Sequence, residues 1–324
     1  MERELFHRHP ANPIILPRHA PTPAAAVLNP GVAEVNGETI LLVRVEDRRG
    51  LSHLRVARSA NGVDNWRWDD HPLLYPNQDP DCPYEEWGCE DARITQMTDT
   101  SWIISYTAAS RYGPAVALAT TADFCTVERL GIVLSPNNKD CIIFPDMFEE
   151  KWLMLHRPVA GDQEHIWYAS SNDLTHWSHP GILIPERGGP WWDGLKLGAG
   201  APPIRTEEGW LLIYHGVKGV AGNLLYRLGL ALLDPQNHRR VIARTADWVF
   251  SPDAEYERRG DAPNVVYTCG ALLRGDEVWM YYGAADYCIC LATAKLSDLL
   301  RAVHELDYLH ILHERGENPP ELLP

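Results

Sequence analysis

One unit returns five times along this sequence and narrows the choice of fold more than any single motif does. Each copy begins with small and apolar residues and a polar turn. It continues into a strongly apolar strand, then a third segment beginning Ala-x. The strands read ETILLVRVED (38–47), SWIISYTAAS (101–110), KWLMLHRP (151–158), GWLLIYHGV (209–217) and EVWMYYGAAD (277–286). The third segments begin at ARSANGVDNW (57–66), ATTADFCTVERL (119–130), ASSNDLTHW (169–177), ALLDPQNHR (231–239) and ATAKLSDLL (292–300). Aromatic and β-branched residues dominate the strands, and pairs such as Asn36-Gly37 and Gly275-Asp276 separate them. The third segments recur about every 50 to 60 residues, an interval that suits a four-stranded propeller blade. The sequence therefore predicts an all-β, five-bladed β-propeller, a single domain over 1–324 with a short N-terminal extension. Helical stretches within LSDLLRAVHELDYLHILHERG predict a C-terminal helical segment over about 296–324. The alternative, a β-sandwich with accidental self-similarity, accounts less well for five matches in order.

Charge and composition exclude several classes. The chain has 29 basic and 44 acidic residues, a net charge of −15, and lacks the basic stripe of a nucleic-acid surface. A cluster of cations in such a chain must hold against the protein's own field, which makes it informative. No apolar run approaches the roughly 20 residues of a membrane span, and MERELFHRHP has no signal-peptide core, so the expectation is a cytoplasmic protein without membrane association. Seven scattered cysteines are expected to be reduced thiols. Cys288 and Cys290 would face one side of a strand, but no second ligand pair of zinc spacing follows, so no metal is expected. GLKLGAG matches neither GxxxxGK[ST] nor GxGxxG, and its glycines are expected to permit close strand approach.

In a propeller, polar residues on the first strand of each blade, or at the end of the second, converge on a central channel. Those positions hold Asn29 and Arg44, then Glu90, Asp91 and Arg93, then Lys139, Asp140, His156 and Arg157, then Lys196, Tyr214 and His215, and finally Tyr282 and Asp286. Lys139, Arg157 and Lys196, with His215 nearby, make a group of positive side chains suited to a phosphate dianion. Asp91 stands nearly alone as an acid at the matching position of the second blade.

At these residues the sequence resembles glycoside hydrolase family 130, the mannoside phosphorylases and related mannosidases. The resemblance runs through NPGVAEVNGETILLVRVED, GCEDARIT, NKDCIIFPDMFEEKWLMLHRP, GLKLGAGAPPI, YHGV and YYGAAD. It implies inverting phosphorolysis of a β-mannoside with Asp91 as general acid, its proton passing through a mannose hydroxyl. It places Lys139, Arg157, Lys196 and His215 on the phosphate side. Asn29, Arg44 and Asp286 match positions that hold the mannosyl ring, and Glu90 and Tyr214 join them as substrate-side candidates. A phosphorylase needs one carboxyl group where an inverting glycosidase needs two, because phosphate attacks as an anion. The acid must hold its proton near neutral pH, so burial or Glu90 should raise its pKa. The expected partners are a β-mannoside and inorganic phosphate as co-substrate, with no cofactor.

Three other readings stay open. One is a β-mannosidase of the same family, with Glu255 and Glu257 as spare carboxylates. The furanosidase-type propellers are another, but NPGV lacks their first-blade carboxylate. The third is a non-catalytic sugar-binding propeller using some of the 12 tryptophans and 13 tyrosines. The linkage (β-1,4 or β-1,2) and the acceptor sugar are unread, with loops 75–88 and 159–165 as acceptor-side candidates. A homo-oligomer built through the terminal extensions is also left open.

Overall fold

The computed structural model describes residues 4–77, 83–159 and 164–308. Residues 78–82 of the loop candidate 75–88, residues 160–163 of the candidate 159–165, and the helical reading beyond 308 lie outside them. The described chain is mostly β and runs through five antiparallel meanders. The first holds Ala26–Val35, Glu38–Glu46, Ser52–Ser59 and Arg67–Trp68. The second holds Gly88–Thr98, Ser101–Ala109, Ala115–Thr121 and Glu128–Leu134. The third holds Asn138–Ile143, Trp152–Pro158, Ile166–Ser171 and Ser178–Ile184. The fourth pairs Lys196–Ala199 and Ile204–Arg205 with Trp210–Val220, then Asn223–Leu233 and Val241–Arg244. The fifth holds Val266–Arg274, Glu277–Ala284 and Cys288–Lys295, and takes its outer strand, His7–Arg8, from the other end of the chain. The backbones of the first two meanders pair through a parallel bridge, Ser52 to Gly88.

The repeat has a physical source, and it corrects one boundary. The Ala-x signal does not open the third strand; those strands begin at Ser52, Ala115, Ile166, Asn223 and Cys288. In the first three meanders the alanine stands two residues before a hydroxyl that ends the strand. Ser59, Thr121 and Ser171 each accept a backbone N–H from three residues on, at 3.1, 3.0 and 2.9 Å. Asn61, Asp123 and Asp173 accept a second, at 3.1, 2.8 and 2.8 Å. These side chains satisfy the turn backbone, so the same short sequence recurs wherever a third strand hands over to a fourth.

Alternation along the strands buries both faces of each meander. One apolar cluster joins the first meander to the second through Leu42, Val56, Ile94 and Ile104. Further clusters join the second to the third, the third to the fourth and the fourth to the fifth. A fifth cluster joins the last meander to the first, through Leu41, Val43, Tyr281 and Leu291. Cys288 and Cys290 are buried core residues of the fourth-to-fifth cluster. The C-terminal helix, Leu296–Glu305, lays Leu299 and Val303 on that cluster.

Candidate active site

Three first strands break their register at the same place. The shifts lie between Leu28 and Gly31, Glu90 and Arg93, and Lys139 and Ile142. Inside them stand Asn29, Asp91 and Asp140, with left-handed φ of 47°, 50° and 55°. Asn and Asp tolerate this conformation better than other side chains with a Cβ, and a bulge re-aims the side chain it carries. Asn29 and Asp91 thereby turn toward each other and Asp140 toward Arg157 and Tyr267, and glycines make room. A Cβ at Gly283 would collide with the Asn29 amide, and one at Gly198 with Asp140 and His215, as the strand-approach reading of GLKLGAG expected.

Asp91 is buried, 3% exposed. Its Oδ1 accepts from Asn29 Nδ2 at 2.9 Å and from Arg44 at 3.1 Å, and Lys139 Nζ stands 3.8 Å from Oδ2. Burial would raise this carboxyl, yet Arg44 and then Lys139, helped by the Asn29 amide, hold it below its ordinary value. The expected upward shift is therefore not found on Asp91. It falls on two neighbours. Glu90, 3.1 Å from Arg44, is raised by burial against the pull of that arginine. Asp286 is pushed up to about 6 by burial and by the Asp91 charge.

Asp140 anchors a second centre. Tyr267 donates to its Oδ1 at 2.6 Å, Arg157 Nε to its Oδ2 at 2.7 Å, and His215 Nε2 lies 3.4 Å from Oδ2. Burial opposes the charge, but Arg157, Lys139 and His215 hold the carboxyl well below its usual range. Arg93 is no surface partner for Glu90. It is 1% exposed and donates to the carbonyls of Asp91, Ala199 and Gly200 and to Tyr267 Oη, tying three meanders together.

The cations meet beside these acids. Lys139 and Arg157 are register partners on adjacent strands. Lys196 is drawn down to about 8, first by burial and then by Arg157 and Lys139, and its Nζ lies 5.7 Å from the ring centre of Tyr226. Among the described residues no carboxylate oxygen comes within 4 Å of that amine. His215 belongs to the group but not as a cation, because burial lowers it to about 4 despite Asp140.

A cavity of about 320 Å³ is lined by Asn29, Arg44, Asp91, Lys139 and Asp286. The opposite wall comes from Gly222–Leu224 at the tip of the long fourth-meander hairpin, with Tyr226, Tyr267 and the segment from Ala262 to Val265. Arg157, Lys196 and His215 are not among the cavity's lining residues; Arg157 adjoins it as the register partner of Lys139, and Lys196 through the ring of Tyr226. A larger cleft of about 1130 Å³, lined by Arg205, Trp210, His238, Arg301 and His304, contains none of the candidate residues.

Several candidates are elsewhere. Tyr214 is fully buried and binds Asp193 at 3.1 Å and Arg244 at 3.1 Å, so it is no substrate contact. Tyr282 donates to Glu257 at 2.8 Å inside the core. His156 pairs with Asn138 at 3.1 Å as a core histidine. Glu257 is locked by Arg8, and Glu255 is an exposed partner of Arg259, so neither reaches the cavity. The sequence reading missed Tyr226, Tyr267 and the hairpin tip. The 11-residue length of both hairpin strands was the signal available.

Fold and site together define a mostly-β protein that gathers Asp91 and Asp286 with Arg44 and Lys139 around a sugar-sized cavity. The sequence matches glycoside hydrolase family 130, described as beta-1,4-mannooligosaccharide phosphorylase, over residues 8–305. The chain belongs to this family. It is 34% identical to a beta-1,2-mannobiose phosphorylase of Listeria innocua over 93% of this chain and 98% of that protein. It is 35% identical to a 1,2-beta-oligomannan phosphorylase of a Thermoanaerobacter species over 85% and 92% of the two chains. The solved Listeria beta-1,2-mannobiose phosphorylase, in complex with beta-1,2-mannobiose, superposes with a TM-score of 0.85 at 32% identity, covering 93% of this chain and 99% of that one.

Proposed function

We propose that the five meanders form a five-bladed propeller whose central pocket carries out inverting phosphorolysis of a β-mannoside. The observation that carries this reading is the grouping of Lys139, Arg157 and Lys196 beside Asp91. Lys196 keeps its amine in a half-buried site where burial, and then Arg157 and Lys139, lower its pKa to about 8. A cluster of that kind suits a multiply charged anion.

The mannosyl ring occupies the cavity against Asn29, Arg44 and Asp286. Asp91 passes its proton through a mannosyl hydroxyl to the glycosidic oxygen, and the bond from that oxygen to C1 breaks. An oxygen of hydrogen phosphate bonds to C1 from the opposite face, giving α-mannose 1-phosphate and the released sugar. The proton brought by hydrogen phosphate restores Asp91. Phosphate pairing with Lys139 draws that charge away from Asp91, so arrival of the nucleophile itself helps load the acid. Fixed cations stabilise the anion at its reacting position, and holding both reactants together removes part of the entropic barrier. Inorganic phosphate is the co-substrate, and this chemistry calls for no cofactor.

Similarity to the Listeria and Thermoanaerobacter enzymes favours a β-1,2 linkage over the β-1,4 linkage in the family's description. Incubating β-1,2- and β-1,4-mannobiose with phosphate, and assaying α-mannose 1-phosphate, tests activity and linkage together.

A further inference from the structure

We infer that Glu164 sets the affinity for phosphate by competing with it for Arg157. The inference rests on the phosphorylase reading and names a residue outside the acid and cation set assigned above.

Arg157 is 4% exposed and already holds two carboxylates. Its Nε donates to Asp140 at 2.7 Å, and its NH1 is ion-paired with Glu164. The two carboxylates differ in how they are held. Asp140 is fully buried and bound also by Tyr267 and His215, so it orients the guanidinium permanently. Glu164 has a side chain 19% exposed, and among the described residues its carboxylate meets no other donor. Its backbone is fixed: Glu164 N donates to Glu186 Oε2 at 3.1 Å, and Leu197 N donates to Glu164 O at 3.1 Å. That second bond pins Glu164 beside the strand that starts at Lys196, between two of the three cations.

A phosphate that engages Arg157 must take the NH1 edge from Glu164. Phosphate brings three acceptor oxygens and also pairs with Lys139 and Lys196, so it wins the exchange, at some loss of affinity. Glu164 is a specificity-determining residue in this sense. It neutralises Arg157 until an anion arrives that can satisfy all three cations.

The test is steady-state phosphorolysis of a mannobiose by the full chain, varying phosphate and mannoside separately. Glu164→Gln keeps size and removes charge, and its KM for phosphate is expected to fall roughly fivefold to tenfold, the scale of one charge-pair contact. KM for the mannoside should stay within about twofold. Glu164→Asp, with a shorter reach, should show a smaller fall in phosphate KM and serves if the glutamine variant folds poorly. Glu128→Gln, an exposed carboxylate on the outer strand of the second meander, is the control for charge loss away from Arg157 and should leave phosphate KM unchanged. A wild-type enzyme whose cleavage ignores phosphate overturns both this inference and the phosphorylase reading. A phosphate-dependent wild type with unchanged or raised phosphate KM in Glu164→Gln overturns this inference alone. An equal fall in Glu128→Gln does the same, because the effect would then be general electrostatics.

Discussion

Asn29 and Asp91 occupy equivalent bulges in neighbouring meanders, and the amide of one donates to the carboxylate of the other over 2.9 Å. The contact links backbone geometry to chemistry. Each residue accepts a left-handed φ, and in return two side chains from strands 62 positions apart meet at the base of one cavity.

Asp91→Asn tests the acid. The substitution keeps size and the left-handed backbone that Asn tolerates, so folding should be preserved. Turnover is expected to fall about 10²- to 10⁴-fold, the usual contribution of a positioned general acid, while mannoside binding survives. Steady-state kinetics with calorimetric binding of the mannoside checks it. Unchanged kcat would remove Asp91 from the role.

Lys196 makes a pH prediction whose sign follows from its environment. Burial, then Arg157 and Lys139, place its pKa at about 8, so it is charged at pH 7 and loses the charge as pH rises through that value. The rate at low phosphate, kcat/KM for phosphate, should fall on the alkaline side with an apparent pKa near 8. Lys196→Arg, which cannot deprotonate in this range, should remove that limb. A pH profile of both proteins from 6 to 10 decides it.

Much of the fold was legible because its signals are local. The middle strands are near-continuous apolar runs, and the Ser/Thr-x-Asn/Asp turns repeat after three of the third strands. The bulges were not legible, because a register shift is a property of two strands and no residue announces it. Adjacent strand residues point to opposite faces, so Tyr214 and His215 could not both reach one pocket. His215 turned toward Asp140, and Tyr214 went into the core between the third and fourth meanders. The Asp91 pKa was misjudged for a related reason. Glu90 is visible beside it in the chain, whereas Arg44 and Lys139 reach it from other strands. Tyr267 lies outside the repeated apolar strands, and Glu164 stood only inside the acceptor-side loop 159–165, with nothing local to pair it with Arg157.

A buried charge ties the N-terminal strand to the segment that precedes the fifth meander. Glu257 is fully buried and accepts from Arg8 Nε and NH2 at 2.8 and 2.9 Å, from Tyr282 Oη at 2.8 Å and from two backbone amides. Glu257→Ala leaves Arg8 without its buried partner and should destabilise the fold by about 3–5 kcal/mol, the scale for breaking a buried pair. Urea unfolding monitored by tryptophan fluorescence measures it. A loss under about 1 kcal/mol would show that the N-terminal strand is held by its backbone bonds alone.

The account depends on phosphate as the attacking group. The direct measurement is cleavage of β-1,2-mannobiose by the wild-type chain with and without inorganic phosphate, with sugar phosphate and free mannose quantified. The account predicts cleavage only with phosphate, yielding one α-mannose 1-phosphate and one mannose for each bond broken. Cleavage at full rate in phosphate-free buffer, yielding two mannoses, would contradict it.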